Sequence, residues 1–527
     1  MIGITVKRAA ILFVALTIAA ACYAHVGSPD VYFQGDAGPY RLVVAVMTPQ
    51  MIPGVAEIQI RASEPGVRRV KIVPLYIVGE ASKYPPPPDV LEPSKDDPQF
   101  FSGKLWLMAS GSWQVRVEAE GEKGSGTLAV PVPAAARATL PMQRGLGVLL
   151  SGLVLLLVAA IVSIMGAARR EGELDPGLAA AGPDRRGARA AMAATLAIVV
   201  VALALGGWWW KAEAASRADR MIYKRPELLV SLNGDQMMLR IRESGWHALR
   251  QEVVSTRLMP DHGHLMHLFL IRMPQMDRFY HLHPAVIPPP ADEGGFVAEL
   301  PPIVAGRYQV FADIVRASGF PDTLIAETYI PETAGRALTG DDSEVSAVPL
   351  AEAGTGAAAA SNAGNLVSPL EDGARMVWER EAGPLRSNQL LWFRFRVEGR
   401  DGKPVNDLEP YMGMAGHAEF VRSDFSVFAH VHPDGSAPMA AVMLAEKTLK
   451  PPAATNSTPG AVVSSRLVPA GNLGAIPAMP MPETASGLIG SEVSFPYGFP
   501  KAGTYRIFVQ VKRGGRVETG VFDAQVD

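Results

Sequence analysis

Hydrophobic and polar positions alternate along most of the chain, and a period of two predicts β-strands rather than helices. In the first 140 residues the alternation is clearest over residues 40–46, 56–62, 69–75, 103–108, 113–119 and 126–132. It returns over residues 217–333 and 367–527. Short, closely spaced strands with no helical period between them predict antiparallel sandwiches. We therefore predict a mostly β protein with three immunoglobulin-like β-sandwich domains, at residues 25–140, 217–333 and 367–527.

Two continuous apolar segments, residues 145–167 and 190–210, interrupt the alternation. Each is long enough to cross the roughly 30 Å hydrocarbon core of a membrane as a helix. The loop between them, residues 168–189, contains five arginines, so the positive-inside rule places it in the cytoplasm. We therefore predict an inner (cytoplasmic) membrane protein whose large domains lie on the periplasmic or extracytoplasmic side.

The first 24 residues resemble a secretory signal peptide, because Lys7 and Arg8 precede an apolar run that ends in small residues. Cleavage after Ala24 would leave His25 as the first residue. Lipidation at Cys22 or retention of the segment are the alternatives. Cys22 is the only cysteine, so we predict no disulfide within the chain.

Two further segments differ from the strand pattern in composition. Residues 334–366 are rich in Ala, Gly and Ser and lack aromatic residues, which is typical of a flexible linker. Residues 450–486 are similar in composition and predict a long loop inside the third domain.

A short motif recurs once in each predicted domain. A glycine, an aromatic residue two positions later and an alternating strand occur at Gly111 and Trp113, at Gly306 and Tyr308, and at Gly503 and Tyr505. This is typical of the tyrosine corner of sandwich domains, although Trp113 lacks the hydroxyl group. The motif predicts that the three domains are related repeats.

Eight of the ten histidines fall in two clusters, residues 262–283 of the second domain and residues 417–432 of the third. The sequences FYHLHP at 279–284 and FAHVHP at 428–433 each follow an upstream histidine, His267 or His417. Residues two apart in a strand share a face, so each pair of imidazoles lies side by side. The pattern predicts one metal site at His267, His281 and His283 and a second at His417, His430 and His432. Additional candidate ligands are His262, His264, Met412, Met414 and His25.

Imidazole with thioether and without thiolate suits copper, and zinc on three histidines is the alternative. A purely structural interpretation without metal stays open. The histidines would then line a solvated strand edge that a proline ends, and the methionines would fill the core.

The same residues resemble a known family. The segments MPDHGHLMHLFLI (259–271), FYHLHP and GRYQVFADIV (306–315) resemble the YtkA-like domains of exported bacterial proteins. The segments MGMAGH (412–417), FAHVHP and GTYRIFVQV (503–511) are similar to the same group, and both copies resemble FixH-like and CopC-like copper-handling sandwiches in appearance. The resemblance implies an immunoglobulin-like fold and a role with copper. The first domain shares only the sandwich pattern.

These observations predict a membrane-anchored extracytoplasmic metal-binding protein that holds copper or delivers it to an envelope metalloprotein or assembly factor. A scaffold that docks envelope proteins without metal is the alternative. We expect no enzymatic activity, because the chain contains no nucleophile elbow, phosphate-binding loop or dinucleotide fingerprint. A sequence pI of about 6.4 provides no basic field for nucleic acid.

Overall fold

The computed structural model describes residues 25–26, 30–172, 174–175, 177–179, 182–250, 257–287, 295–350, 366–380, 383–449 and 489–527. The predicted signal peptide, residues 1–24, and the predicted loop at 450–486 lie outside the described residues. The chain divides into two compact units. One contains the sheets, up to Ala135 and from Lys224 onward, and the other is helical and covers Ala136–Tyr223.

After the two-residue strand β1 (His25–Val26), the first sandwich consists of two four-stranded antiparallel sheets, with sheet orders β2-β3-β4-β7 and β6-β5-β8-β9. The sheets lie close together at Gly35, where an added Cβ would be 2.7 Å from Cδ1 of Leu128. A turn of 3-10 helix covers Glu80–Lys83. The strands are β2 (Val31–Ala37), β3 (Tyr40–Met47), β4 (Gly54–Ala62), β5 (Val67–Tyr76), β6 (Asp89–Leu91), β7 (Phe100–Leu107), β8 (Gly111–Gly121) and β9 (Gly124–Ala134).

The helical unit contains α1 (Arg144–Glu171) and α2 (Gly182–Met221). Both are long and apolar enough to cross a membrane. They extend beyond the predicted spans 145–167 and 190–210, so the connection is shorter than the predicted loop 168–189. The predicted spans end where the apolar residues end. The helices are longer because backbone hydrogen bonding continues through charged residues such as Arg169 and Arg170.

The second sandwich has one four-stranded sheet, β10-β11-β16-β15, and one six-stranded sheet, β12-β17-β13-β14-β19 with β18 paired to β17. A shared core of buried apolar side chains from both sheets, including Leu239 and Leu268, joins them. The elements are β10 (Glu227–Asn233), β11 (Gln236–Arg242), α3 (Gly245–Ala248), β12 (Leu258–Met259), β13 (His267–Arg272), β14 (Arg278–Leu282), β15 (Ala285–Ile287), β16 (Gly295–Glu299), β17 (Gly306–Arg316), β18 (Pro321–Ile330) and β19 (Ser343–Ser346).

Strand β19 corrects one prediction, because it lies inside the segment 334–366 that the composition predicted to be a flexible linker. It pairs with β14, Ser343 is buried, and Val345 packs against a buried aromatic cluster. The Ala, Gly and Ser content averaged over the segment concealed this short strand. Residues 351–365 lie outside the described part of the chain.

The third sandwich repeats the second. Its four-stranded sheet is β20-β21-β22-β26, and its six-stranded sheet is β23-β27-β24-β25-β1 with β28 paired to β27. Strand β1 runs parallel to β25, whereas the other described strand pairs are antiparallel. The elements are β20 (Val367–Pro369), β21 (Arg375–Trp378), β22 (Leu391–Glu398), β23 (Leu408–Glu409), β24 (His417–Arg422), β25 (Val427–Val431), α4 (Met439–Lys447), β26 (Glu492–Tyr497), β27 (Gly503–Arg513) and β28 (Arg516–Val526).

All three sandwiches contain the same corner hydrogen bond. Tyr308 donates its hydroxyl to the carbonyl of Val304 at 2.8 Å, and Tyr505 donates to Lys501 at 2.7 Å. The indole N–H of Trp113 donates to the carbonyl of Ala109 at 2.9 Å, also four residues earlier. The expected departure of the first copy is therefore corrected, since an indole N–H is a hydrogen-bond donor like the tyrosine hydroxyl.

The six-stranded sheets of the second and third sandwiches pack against each other; we call them the histidine sheets. Phe279 stacks on Phe508 with ring centroids 4.2 Å apart, and Phe311 stacks on Phe428 at the same distance. Phe279 and Phe428 hold equivalent positions in β14 and β25, and Phe311 and Phe508 hold equivalent positions in β17 and β27. Reciprocal contacts of this kind are those of two copies related by an approximate two-fold axis.

We expect Phe428→Ala to weaken this interface, because the ring is fully buried and contacts both Phe269 and Phe311. Truncation of a buried phenylalanine costs about 3–5 kcal/mol. The urea midpoint of the full chain in detergent, followed by tryptophan fluorescence, should fall accordingly. Tyr329→Ala is the control, since that side chain is exposed, and an equal shift in the two variants would contradict the prediction.

Candidate metal centre

The histidine sheet of the second sandwich brings three imidazoles together. His267 begins β13, His281 lies in β14 opposite Phe269, and His283 follows two residues later on the same face. One ring nitrogen of each lies within 4.8 Å of the other two. We call these three residues triad A, and they are the three that the sequence predicted as one site.

The other ring nitrogen of each triad A histidine bonds to an oxygen atom. His267 donates from Nε2 to the carbonyl of Asp261 at 3.2 Å, and His281 donates from Nδ1 to Oε1 of Gln510 at 2.9 Å. His283 donates from Nδ1 to Oδ1 of Asp342 at 2.8 Å. A neutral imidazole has one N–H group, so these bonds leave a lone pair on the second nitrogen of each ring.

The second ring nitrogens of triad A lie close together. Nδ1 of His267 lies 3.2 Å from Nε2 of His281, and Nε2 of His283 is buried without a hydrogen-bond partner in the described structure. Two facing acceptors repel unless a proton or a cation lies between them. Nitrogens bound at 2.0–2.1 Å to one tetrahedral ion are about 3.3 Å apart, which is close to the 3.2 Å between Nδ1 of His267 and Nε2 of His281.

Upstream of His267 and upstream of His417, the chain makes the same two-residue turn. His262 and Gly263 have φ values of 51° and 87°, and Met412 and Gly413 have values of 50° and 83°. Both turns are closed by paired backbone hydrogen bonds, between Asp261 and His264 in one and between Tyr411 and Met414 in the other. Positive φ at both central residues is the geometry of a type I′ turn. Met412 and Met414 therefore occupy the positions of His262 and His264.

A second group of three histidines combines both sandwiches. His262 from the second sandwich meets His417 and His432 from the third, with one nitrogen of each within 4.8 Å of the others. All three side chains are buried. His262 donates from Nδ1 to the carbonyl of Met412 at 2.9 Å, and His432 donates from Nδ1 to that of Ala437 at 3.3 Å. We call this group triad B.

Triad B differs from the prediction, which grouped His417 and His432 with His430. The structure places His262 in the third position, because the two histidine sheets face each other. His430 lies between the triads, with its ring 5.4 Å from that of His267 and 5.3 Å from that of His417. Its Nδ1 lies 3.5 Å from Oδ2 of Asp313, and its Nε2 lies 4.0 Å from Oε1 of Glu419.

The remaining candidates lie at the edge of this cluster or are only partly described. His264 stacks on His283 with ring centroids 3.9 Å apart, and its Nε2 lies 3.7 Å from Oδ2 of Asp341. Met412 is buried and Met414 is half-buried, and their role as ligands remains a prediction. The backbone of His25 pairs with β25 beside Val427, and its side chain lies outside the described structure.

Several polar residues of the centre were missed in the sequence. Asp313 and Gln510 hold equivalent positions opposite His267 and His417, and each approaches a histidine of the other sandwich. Glu419 lies in β24, is fully buried and is opposite His430 of β25. A usable signal was present for Glu419, because it lies two residues after His417 and so shares that histidine's buried face.

The environment of the cluster favours neutral imidazoles. Burial is the main cause that lowers the pKa of each histidine in both triads, and neighbouring histidines add to the effect in all six. Burial also raises the pKa of Glu419 well above its ordinary value, with a further contribution from Asp313. At the edge, hydrogen bonding to His264 and Lys512 lowers the pKa of Asp341 to about 2. Neutral imidazole is the form that binds metal.

Comparison with known proteins identifies no function. Residues 370–461 match a domain of unknown function (DUF8832). No curated protein matches the chain. A marsupial T cell receptor is 6% identical with a TM-score of 0.15, and the match covers 56% of this chain and 96% of the receptor chain. An alpha-2-macroglobulin from Escherichia coli is 9% identical with a TM-score of 0.16, over 96% of this chain and 24% of the other. TM-scores this low establish no shared fold.

We expect the metal-free protein to lose stability as the pH falls below the ordinary histidine pKa of about 6.5. The folded state holds the imidazoles neutral, whereas the unfolded chain takes up protons from that pH downward, so acidification favours unfolding. Thermal unfolding in the presence of a chelator, between pH 7.5 and 5, measures the slope. The variant His267→Gln/His417→Gln removes two of these imidazoles and should have a shallower slope, and an unchanged slope would contradict this explanation.

Proposed function

We propose that the chain is a membrane-anchored extracytoplasmic metal-binding protein that holds copper at two histidine triads and passes it to an envelope metalloprotein or assembly factor. The helices α1 and α2 are the anchor, and the arginines at the end of α1 and the start of α2 indicate the cytoplasmic side. We also propose that the three sandwiches are immunoglobulin-like and that the second and third are related to YtkA-like domains. The shared corner bond and the shared histidine positions support this relationship.

The observation that carries the proposal is the convergence of lone pairs in triad A. Each of its three imidazoles has an oxygen acceptor on one nitrogen, and one nitrogen of each ring lies within 4.8 Å of the other two. Metal-bound histidines in proteins are oriented in this way by their other N–H group. An ordinary N–H···N bond from Nδ1 of His267 to Nε2 of His281 would instead leave Nε2 of His267 without a proton 3.2 Å from the carbonyl of Asp261.

Copper is the proposed ion because both triads consist of imidazoles and the centre contains no thiolate ligand. Zinc accepts three histidines as well, so a zinc titration belongs in every test. The resemblance of the histidine motifs to copper-handling sandwiches favours copper. His264, with a side chain 31% exposed, lies over His283, whose side chain is 3% exposed, and so provides a route for an ion between solvent and triad A.

The stoichiometry of copper binding tests this function. For the untagged full chain in detergent, we expect His281→Ala/His283→Ala to lower the bound copper by one ion, because triad A keeps a single ligand. His262→Ala/His432→Ala should lower it by one ion through triad B. Titration with copper, and separately with zinc, followed by elemental analysis of the washed protein measures both changes.

The matched control is His247→Gln, which alters a buried histidine outside the cluster. The ring nitrogens of His247 are bonded to Ser244 at 2.8 Å and to Asp322 at 2.9 Å, so the bound copper should not change. If the unaltered chain binds neither ion more tightly than about 10 µM, a range that weak surface histidine pairs reach, the metal function fails and the metal-free scaffold becomes the better explanation.

Gln510 provides a second test, since it contacts no ion itself but fixes the tautomer of His281 from across the interface. Gln510→Leu should weaken copper binding at triad A by about 10- to 100-fold, the usual effect of removing such a partner. A competitive titration against a chelator, carried out in the His417→Ala/His432→Ala background, isolates this site.

Gln309→Leu is the control for Gln510, because that amide bonds to the carbonyl of Ala326 and to no histidine. Its affinity for copper should equal that of the background. Equal weakening in both variants would mean that triad A responds to general loss of stability rather than to the position of His281.

A further inference from the structure

His417 differs from the other buried histidines of the centre in its hydrogen bonding. Neither of its ring nitrogens has a hydrogen-bond partner in the described structure, and the side chain is fully buried. His262, His267, His281, His283 and His432 each have one nitrogen bonded to an oxygen atom. A buried N–H group without an acceptor destabilises the folded state, so the unpaired second nitrogen of His417 requires an explanation.

Triad B accounts for one nitrogen of His417. The rings of His262 and His432 lie 5.1 Å and 5.0 Å from that of His417, and the free nitrogens of the three residues converge. An ion bound here uses one lone pair of His417. The opposite nitrogen of the same ring remains without a partner.

The carboxyl group of Glu419 and the Nε2 atom of His430, both near that ring, also lack hydrogen-bond partners in the described residues. Both carboxylate oxygens of Glu419 are buried without a hydrogen bond in the described residues, and so is Nε2 of His430. Glu419 shares a face of β24 with His417, and the His430 ring lies 5.3 Å from that of His417.

The gap between Glu419 and His430 has the dimension of a metal bridge. Oε1 of Glu419 lies 4.0 Å from Nε2 of His430, which is the separation of two ligands that lie on opposite sides of one ion, each at about 2.0 Å, as in the tetragonal geometry of Cu(II). Because Nδ1 of His430 faces the Asp313 carboxylate at 3.5 Å, Nε2 has the lone pair. A protonated Glu419 carboxyl group cannot donate to Nε2 of His430 over 4.0 Å, whereas a cation that displaces this proton would give both groups a partner.

We propose that His417 bridges two metal ions, one bound with His262 and His432 and the other with Glu419 and His430. The proposal rests on the metal-binding function proposed above. The second ion replaces the remaining proton of His417 and the proton of the Glu419 carboxyl group, and both protons are released to solvent, so the bridging ring is an imidazolate. Its ligands of one carboxylate and two imidazoles suit a divalent transition-metal ion.

The second sandwich lacks this arrangement and so provides an internal comparison. The position equivalent to Glu419 is Phe269, and the Nε2 atom of His267 is already bonded to the carbonyl of Asp261. Triad A therefore holds a single ion, and the paired ions belong to the third sandwich together with His262.

Electron paramagnetic resonance of the Cu(II)-loaded full chain in detergent tests the bridge. An imidazolate between two Cu(II) ions couples their spins, so the unaltered chain should show fewer spins than bound copper ions. In Glu419→Gln, which keeps the shape of the side chain but removes its charge, the bound copper should fall by one ion and the spin count should rise to equal the copper content.

Glu518→Gln is the control, because that buried carboxylate accepts hydrogen bonds from the backbone of Glu371 and Asp372 and lies outside the cluster. Its copper content should equal that of the unaltered chain, and it should likewise show fewer spins than bound copper ions. A spin count equal to the copper content in the unaltered chain overturns the bridge while the triads stand. An absence of bound copper overturns the metal function itself. The measurement on the unaltered chain decides between these outcomes even if Glu419→Gln fails to fold.

Discussion

The packing of one histidine sheet against the other is the interaction on which the rest of the centre depends. Two phenylalanine stacks, Phe279 on Phe508 and Phe311 on Phe428, fix the register of the two sheets. Arg506 adds hydrogen bonds from one sandwich to the carbonyls of Met276 and Val348 in the other. Triad B is formed only through this packing, since His262 comes from one sandwich and His417 and His432 come from the next.

Triad A depends on the same interface in a less direct way. Its three histidines belong to one sandwich, but Gln510 of the other sandwich accepts a hydrogen bond from His281 at 2.9 Å. The turn before His267 also bonds to the third sandwich. Nδ1 of His262 donates to the carbonyl of Met412, and the Asp261 carboxylate accepts a hydrogen bond from the backbone N–H of Ala440. Loss of the interface would therefore release the orienting partners of both triads. Buried polar groups are stable only when they are fully paired, which makes this interface sensitive to small shifts.

The sequence predicted the parts of this arrangement that follow from local periodicity. Strand alternation located most of the strands, and the His-x-His spacing gave the shared face of His281 and His283. It did not give the partner sheet, because the period of two identifies a buried face but not which surface covers it. For that reason the sequence predicts His262 only as an additional candidate ligand and does not predict Gln510 or Asp313. The linker prediction failed at β19 for a related reason, since a strand of four residues is stabilised by its neighbour β14 rather than by its own composition.

The two repeats place different chemistry on one backbone. The turn positions hold His262 and His264 in one copy and Met412 and Met414 in the other. The position two residues after the first histidine of each strand is Phe269 or Glu419, and the position opposite that histidine is Asp313 or Gln510. If the histidines only stabilised packing, an apolar residue would be favoured at both 269 and 419, because a buried carboxylate without partners is costly. Glu419 departs from that expectation at the position where His417 also lacks a partner, and a bound cation would satisfy both residues.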